Sequence, residues 1–180
     1  NIAGWQAFST NYQQECWKAL QIWGWEKNLL QNALDNARKE AINHDFHHWL
    51  ESHKPFPHVV QRLKRLEIEG IELAILTTKS IEFTRHLLKS FNLEPTLIFG
   101  HESGSKTKVL RQLSKNRILK GFIEDRRSTL EAVLNEPQLD SLPCYLASWG
   151  YLKPDDLKKL PIGLHLLNPE ILKAPVAEWS

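Results

Sequence analysis

The sequence predicts an α/β fold: a parallel sheet with helices on both faces, behind an N-terminal helical segment. Three observations carry this expectation. From about residue 58 onward, short apolar runs alternate with helical periodicity through short loops, the pattern of successive crossovers in a parallel sheet. Residues 1 to about 50 contain no convincing strand. Between the two lies His53-Lys-Pro-Phe-Pro57, whose prolines disfavour helix at the residues before them. The expected division is therefore a helical segment over 1–54 and an α/β core over 55–180.

In the first segment the periodicity is helical from Thr10 to Leu50. Trp17, Leu20 and Trp23 (or Ile22), then Leu29, Leu30, Ala33, Leu34 and Ala37, recur near i, i+3, i+4. Five of the seven tryptophans (Trp5, Trp17, Trp23, Trp25, Trp49) fall here, enough to give the helices aromatic faces. Such faces pack against one another or a neighbouring domain, or else roof a substrate pocket. In the core, helix His58–Leu66 leads through Gly70, a C-cap candidate, to strand Glu72–Leu76. Helix Ser80–Phe91 precedes strand Thr96–Phe99, and helix Thr107–Ser114 precedes strand Leu119–Ile123. Helix Ser128–Leu134 leads to strand Cys144–Ala147. A last short strand within Gly163–Leu172 is followed by a helix starting near Pro169, with Asn168 as its cap. Trp179 either packs onto the core or stays free.

Composition narrows the function classes. The 180 residues suit one domain, or a core carrying a small helical insertion, with 42% hydrophobic and 24% charged residues. A net charge of +2 gives no argument for a nucleic-acid or anionic membrane partner. Cys16 and Cys144 lie far apart with no CxxC, which fits a reducing compartment and a cytoplasmic location. No apolar run approaches the ~20 residues of a transmembrane helix, and no signal peptide is visible. The chain starts at Asn1, so the sequence reads as an excerpt or a processed form.

Three predicted strand ends carry the chemistry. Phe122-Ile-Glu-Asp125 closes an apolar run in two adjacent carboxylates, which burial would penalise without a cation; Glu124 and Asp125 suggest a hard metal such as Mg²⁺. Thr77 and Thr78 sit between a strand and a helix N-terminus, where backbone N–H groups favour an anion, although Thr78 or Ser80 would serve equally as a cap. In Gly100-His-Glu-Ser-Gly-Ser-Lys-Thr107 a loop delivers Lys106 at a helix start, suited to a phosphate oxygen. That loop also approximates GxxxxGK[ST]. Ser105 replaces the second glycine, however, and the acidic strand follows too soon for a nucleotide triphosphatase. His44 and His48, with His53 nearby, have the i, i+4 spacing of metal ligands on one helix face, but no HExxH glutamate accompanies them. A partly solvated helix end is the expected reading.

A hydroxyl, a lysine and paired acids after successive strands resemble the motifs of the haloacid dehalogenase superfamily, particularly phosphoglycolate phosphatase-like members with a helical cap. Leu73–Thr78 looks like the second motif, Lys106 (or Lys108) the third, and Phe122–Asp125 the fourth in its Glu-Asp form. Pro57–Leu66 resembles the helix entering the core after the cap, and Trp149-Gly-Tyr151 the turn past the last strand. The resemblance implies a Rossmann-like core and Mg²⁺-dependent hydrolysis of a small phosphorylated metabolite. Thr77, Thr78 and Lys106 would hold phosphate, with Lys106 the catalytic member present, while Glu124 and Asp125 would hold the metal. Transfer of the β-phosphoglucomutase kind is equally compatible.

One motif departs from the pattern. The family's nucleophile lies in DxDx[TV] or DxDG at the end of a first, central strand, and no such motif occurs here. Asp45 lies in a histidine-rich helical context, Asp155-Asp156 follows a proline, and Asn1–Gly4 lacks a preceding apolar strand. The nucleophile is expected upstream of Asn1, and the 180 residues alone are expected to be inactive. Without that strand, two central strands would lose ladder partners. The alternative is a non-catalytic descendant that binds a ligand or protein.

Overall fold

The computed structural model describes residues 4–179. The chain forms two compact units, residues 1–52 and 53–180.

The first unit is helical throughout its described residues: α1 (Trp5–Thr10), α2 (Tyr12–Trp23), α3 (Lys27–His44) and α4 (Phe46–Glu51). Gly24 ends α2 at φ +65, a left-handed turn in which the Trp25 N–H reaches back to the Leu20 carbonyl at 2.9 Å. Between α3 and α4 the Asp45 carboxylate accepts the His48 N–H at 2.9 Å and caps α4. That hydrogen bond holds the Asp45 carboxyl below its ordinary range. The cap breaks the helix, so His44 and His48 belong to two helices rather than to one shared face. No group of three metal-ligating side chains occurs among the described residues. The expected packing of aromatic faces is likewise incomplete. Trp49 is buried, whereas Trp17, Trp23 and Trp25 stay 60%, 48% and 50% exposed. So small a unit has little surface with which to cover them.

The second unit is α/β. Helix α5 (Val59–Ile68) precedes β1 (Ala74–Leu76), α6 (Ile81–Ser90), β2 (Leu97–Phe99) and α7 (Lys106–Ser114). Then come β3 (Phe122–Glu124), α8 (Arg127–Leu134), β4 (Cys144–Ala147), β5 (Leu164–Leu167) and α9 (Pro169–Lys173). All pairings are parallel, but the strands form two sheets, β1-β2 and β3-β4-β5. Phe122 lies opposite Cys144, and Cys144 opposite Leu164. Alternate residues of a strand face opposite ways. Cys144 and Leu146 accordingly join Leu110 of α7 and Leu130 of α8 in one apolar cluster. Tyr145 joins Leu172 of α9 and Val59 of α5 in another. Helices therefore cover both faces of β3-β4-β5, and its middle strand β4 is buried along its whole length, while His165 and Leu166 of the edge strand β5 stay exposed. β1 and β3 span three residues each, shorter than the apolar runs around them in the sequence.

The C-terminal segment is tied down. Asn168 caps α9 by accepting from the Glu170 and Ile171 N–H groups at 3.0 and 2.8 Å. Trp179 is buried edge-on against Tyr145, whose hydroxyl donates to the Trp179 carbonyl at 2.8 Å. The Arg62 guanidinium lies 5.4 Å from the Trp179 ring centroid and donates to both Glu69 oxygens at 2.5 and 2.9 Å. Glu69 also accepts the Val176 N–H at 3.1 Å, so one carboxylate joins α5 to the tail. No helix among the described residues is long and apolar enough to cross a membrane.

Arg62 is only 3% exposed, and removing its partner strands a buried cation. Glu69→Gln should lower unfolding free energy by about 2 kcal/mol, read from the urea midpoint. Hydrogen bonding from Arg62 holds the Glu69 carboxyl below its ordinary range. Its contribution is therefore full above that range and is lost as pH falls through the folded value. The wild-type chain should lose more stability than Glu69→Gln between about pH 6 and pH 3. Burial pushes the Cys144 thiol up to about 11, so a thiol reagent at pH 8 should label Cys16 while sparing Cys144 until the chain unfolds.

Candidate active site

The site is assembled at the carboxyl ends of β1, β2 and β3, where parallel sheets leave backbone and loop groups free to meet a ligand. Thr77 follows β1 directly. Its N–H donates to the Phe99 carbonyl at 2.9 Å, and its hydroxyl accepts the Lys79 N–H at 3.1 Å. Thr78 is exposed in the bend that follows. Ser80, rather than Thr78, caps α6 by accepting the Phe83 N–H at 3.3 Å.

The loop after β2 docks onto this turn. The His101 N–H donates to the Lys79 carbonyl at 3.1 Å, and the Glu102 carboxylate accepts the Ile81 N–H at 3.0 Å. A side chain on Gly100 would place Cβ 2.0 Å from the Glu102 carboxylate and 2.7 Å from the Ile81 nitrogen, so the close approach requires glycine. Glu102 carries no motif signature. Only the helix end it contacts, 21 residues away, reveals its part.

Ser105 caps α7 by accepting the Lys108 N–H at 3.2 Å, which leaves Lys106 in the first turn of the helix. Lys106 Nζ forms an ion pair with Glu124 Oε2, joining this loop to the end of β3. Lys106 and Glu124 are only 21% and 9% exposed, so the contact is shielded from solvent screening. The other Glu124 oxygen accepts the Arg126 N–H at 3.2 Å. Next to it, Asp125 Oδ2 accepts the Tyr151 N–H at 3.1 Å. Gly150 allows this contact, since a Cβ there would fall 2.1 Å from that of Asp125. Asp125 Oδ1 accepts no hydrogen bond among the described residues.

The structure thus joins Lys106 to Glu124 and sets Asp125 beside them. A cavity of about 690 Å³ runs along β1 and β3 and reaches Glu124, Asp125 and Leu76. Thr77, Thr78 and Lys106 are not among its lining. Thr77 is linked to it only as the neighbour of Leu76. The loop carrying Asp155 and Asp156 is held elsewhere: Arg127 Nη1 donates to the Lys158 carbonyl at 2.6 Å, and Asp155 pairs with Lys158 at 2.7 Å.

The donor set suits a hard cation of modest coordination demand. Mg²⁺ is commonly held by one or two carboxylates, the remaining positions going to water and phosphate oxygens. Glu124 and Asp125 supply such a pair, with Asp125 Oδ1 open and the Glu124 charge balanced by Lys106.

Gly150→Ala should drive Cβ into Asp125 and destabilise the chain by about 1–3 kcal/mol in chemical denaturation. Gly100→Ala should have a similar cost, because backbone atoms of Lys79 and Ile81 surround the site.

A family model described as haloacid dehalogenase-like hydrolase matches residues 8–125, a span that takes in most of the helical unit and ends at Asp125. A phosphoglycolate phosphatase from Aquifex aeolicus (strain VF5) is 27% identical over 168 residues, covering 77% of this chain and 76% of its own. The family match exceeds half of the chain, and this protein belongs to the haloacid dehalogenase-like hydrolases.

Proposed function

We propose that this chain supplies the phosphate-handling and metal-binding part of a Mg²⁺-dependent phosphomonoesterase acting on a small phosphorylated metabolite. The observation that carries this reading is the shielded Lys106–Glu124 pair beside Asp125 at the carboxyl end of β3. Lys106 is poised to exchange part of its interaction with Glu124 for a phosphate oxygen, balancing charge that grows as the ester bond breaks. Asp125 and Glu124 orient the cation, and Tyr151 N–H and Arg126 N–H fix the two carboxylates. When bound, Mg²⁺ acts as a Lewis acid on the phosphoryl oxygens. Thr77 and Thr78 contribute hydroxyls near the start of α6. The helical unit serves as the cap. Cys16 and Cys144, both free thiols, support a reducing, cytoplasmic setting.

No DxD motif occurs in the 180 residues, and the enzyme reading requires an attacking carboxylate supplied from outside them. The same absence favours a second reading, a non-catalytic module that binds phosphorylated ligands. The two separate in one experiment. With Mg²⁺ and p-nitrophenyl phosphate, or 2-phosphoglycolate as the relative's name suggests, the 180 residues should show no turnover above background. A longer polypeptide bearing a strand and DxDG before Asn1 should turn over, and Lys106→Met or Asp125→Asn in it should cost about 100-fold or more in kcat. Robust turnover by the 180 residues would refute the assignment. Failure of the longer form, with retained Mg²⁺-dependent phosphate binding, would leave the binding module as the answer.

A further inference from the structure

Thr77 and Lys106, the two groups assigned to phosphate, do not line the cavity, so no shared wall fixes the distance between them. Thr77 follows β1, whereas Lys106 opens α7 after the loop 100–105 that leaves β2. The sheet holds these strand ends side by side only as far as its last rung. Leu76 lies opposite Phe99, and the Thr77 N–H donates to the Phe99 carbonyl at 2.9 Å.

Two contacts take over where the ladder stops. The His101 N–H donates to the Lys79 carbonyl at 3.1 Å, and the Glu102 carboxylate accepts the Ile81 N–H at 3.0 Å. Both run from the loop of Lys106 to the turn of Thr77. The first is main chain and survives any substitution that leaves the backbone in place. The second depends on a side chain of one particular length. Gly100 keeps its path open, since a Cβ there would meet the Glu102 carboxylate at 2.0 Å. Its donor is the first amide of α6, one of the helix-start N–H groups that lack a partner within the helix.

What is fixed at Glu102 reaches Lys106 through a stiff segment. The Ser103 and Gly104 N–H groups donate to the Gly100 and His101 carbonyls at 3.1 and 3.3 Å, closing a 3₁₀ turn over His101–Ser103. Gly104, at φ +92, then turns the chain into α7, a conformation that a side chain would strain. Ser105 caps that helix by accepting the Lys108 N–H at 3.2 Å. Every residue from His101 to Ser105 thus carries a hydrogen bond, which leaves little slack before Lys106.

We infer that Glu102 is a positioning residue. Its hydrogen bond to Ile81 staples the loop of Lys106 to the turn of Thr77 and sets the distance between the two groups. It acts through the reach of its side chain rather than through its charge. This inference rests on the reading that Thr77 and Lys106 hold phosphate.

Three substitutions separate reach from charge. Glu102→Gln keeps an acceptor oxygen at the same reach without the charge. Glu102→Asp keeps the charge but is shorter by a methylene, and Glu102→Ala loses both. Inorganic phosphate is titrated with Mg²⁺ into the 180-residue chain and each variant, a complex that the enzyme and the binding module both require. Glu102→Ala and Glu102→Asp should weaken phosphate binding about fivefold, as loss of one hydrogen bond does, while Glu102→Gln should bind at least as tightly as wild type. Amide hydrogen exchange at Ile81 should quicken in the Ala and Asp variants alone. Should Glu102→Ala not fold, the Asp and Gln variants carry the same comparison. Equal phosphate affinity across wild type and all variants would overturn the inference and leave the phosphate assignment standing. So would Glu102→Gln binding as weakly as Glu102→Asp, or an Ile81 amide that exchanges alike in every variant. A wild-type chain that binds no phosphate would overturn the assignment of Thr77 and Lys106 itself, and this inference with it.

Discussion

Backbone hydrogen bonding at β1 and β3 governs the rest of this molecule. A buried N–H or C=O demands a partner, and a parallel sheet supplies one only where two strands lie side by side. Here β2 and β4 satisfy the outer edges of β1 and β3, while the inner edges face one another across an apolar groove. Ion pairs sit at both ends of the groove. Glu72–Arg117 spans the amino end, and Lys106–Glu124 ties α7 to β3 at the carboxyl end.

The electrostatics of the site follow from that placement. Two adjacent carboxylates at a strand end would repel each other in a poorly solvated setting. Lys106 neutralises one, and backbone N–H groups from Arg126 and Tyr151 hydrogen-bond to each. Asp125 retains an open oxygen while its position is fixed by a glycine turn that admits no side chain. The result is a cluster whose charges are partly balanced and whose geometry is set by the main chain. A site built in this way keeps its shape independently of the long side chains around it.

Much of this was legible in the residues because it is local. The Asn168 cap, the α6 start near Ser80 and the β4 run Cys144–Ala147 depend on neighbours within a few positions. The acidic strand end and the lysine at a helix start were likewise visible as short patterns. Their ion pair, 18 residues apart, was not. Glu69 and Val176 meet across 107 residues, and Arg62 stacks on Trp179; neither contact leaves a periodic trace. The histidines read as a helix end rather than a metal site, and the structure supplies a local reason for their separation. Their i, i+4 spacing presumes an unbroken helix, and the Asp45 side chain competes successfully for the backbone and ends it. The tryptophans misled for a global reason. Amphipathic spacing reveals that a face is apolar without revealing what surface is available to cover it.

Glu102 gives the helix end beside Thr77 a resident negative charge. The macrodipole of α6 and its first amide are already engaged by a carboxylate of the same chain. An incoming anion consequently meets a competitor rather than an empty positive pole. Its net attraction is the difference between two similar electrostatic terms, so it scales with the newcomer's valence and falls with ionic strength. The tether is short, held by one hydrogen bond, and exposed, which makes the exchange of one negative group for another inexpensive. Any anion brought to this helix start would first have to displace the Glu102 carboxylate from the Ile81 N–H.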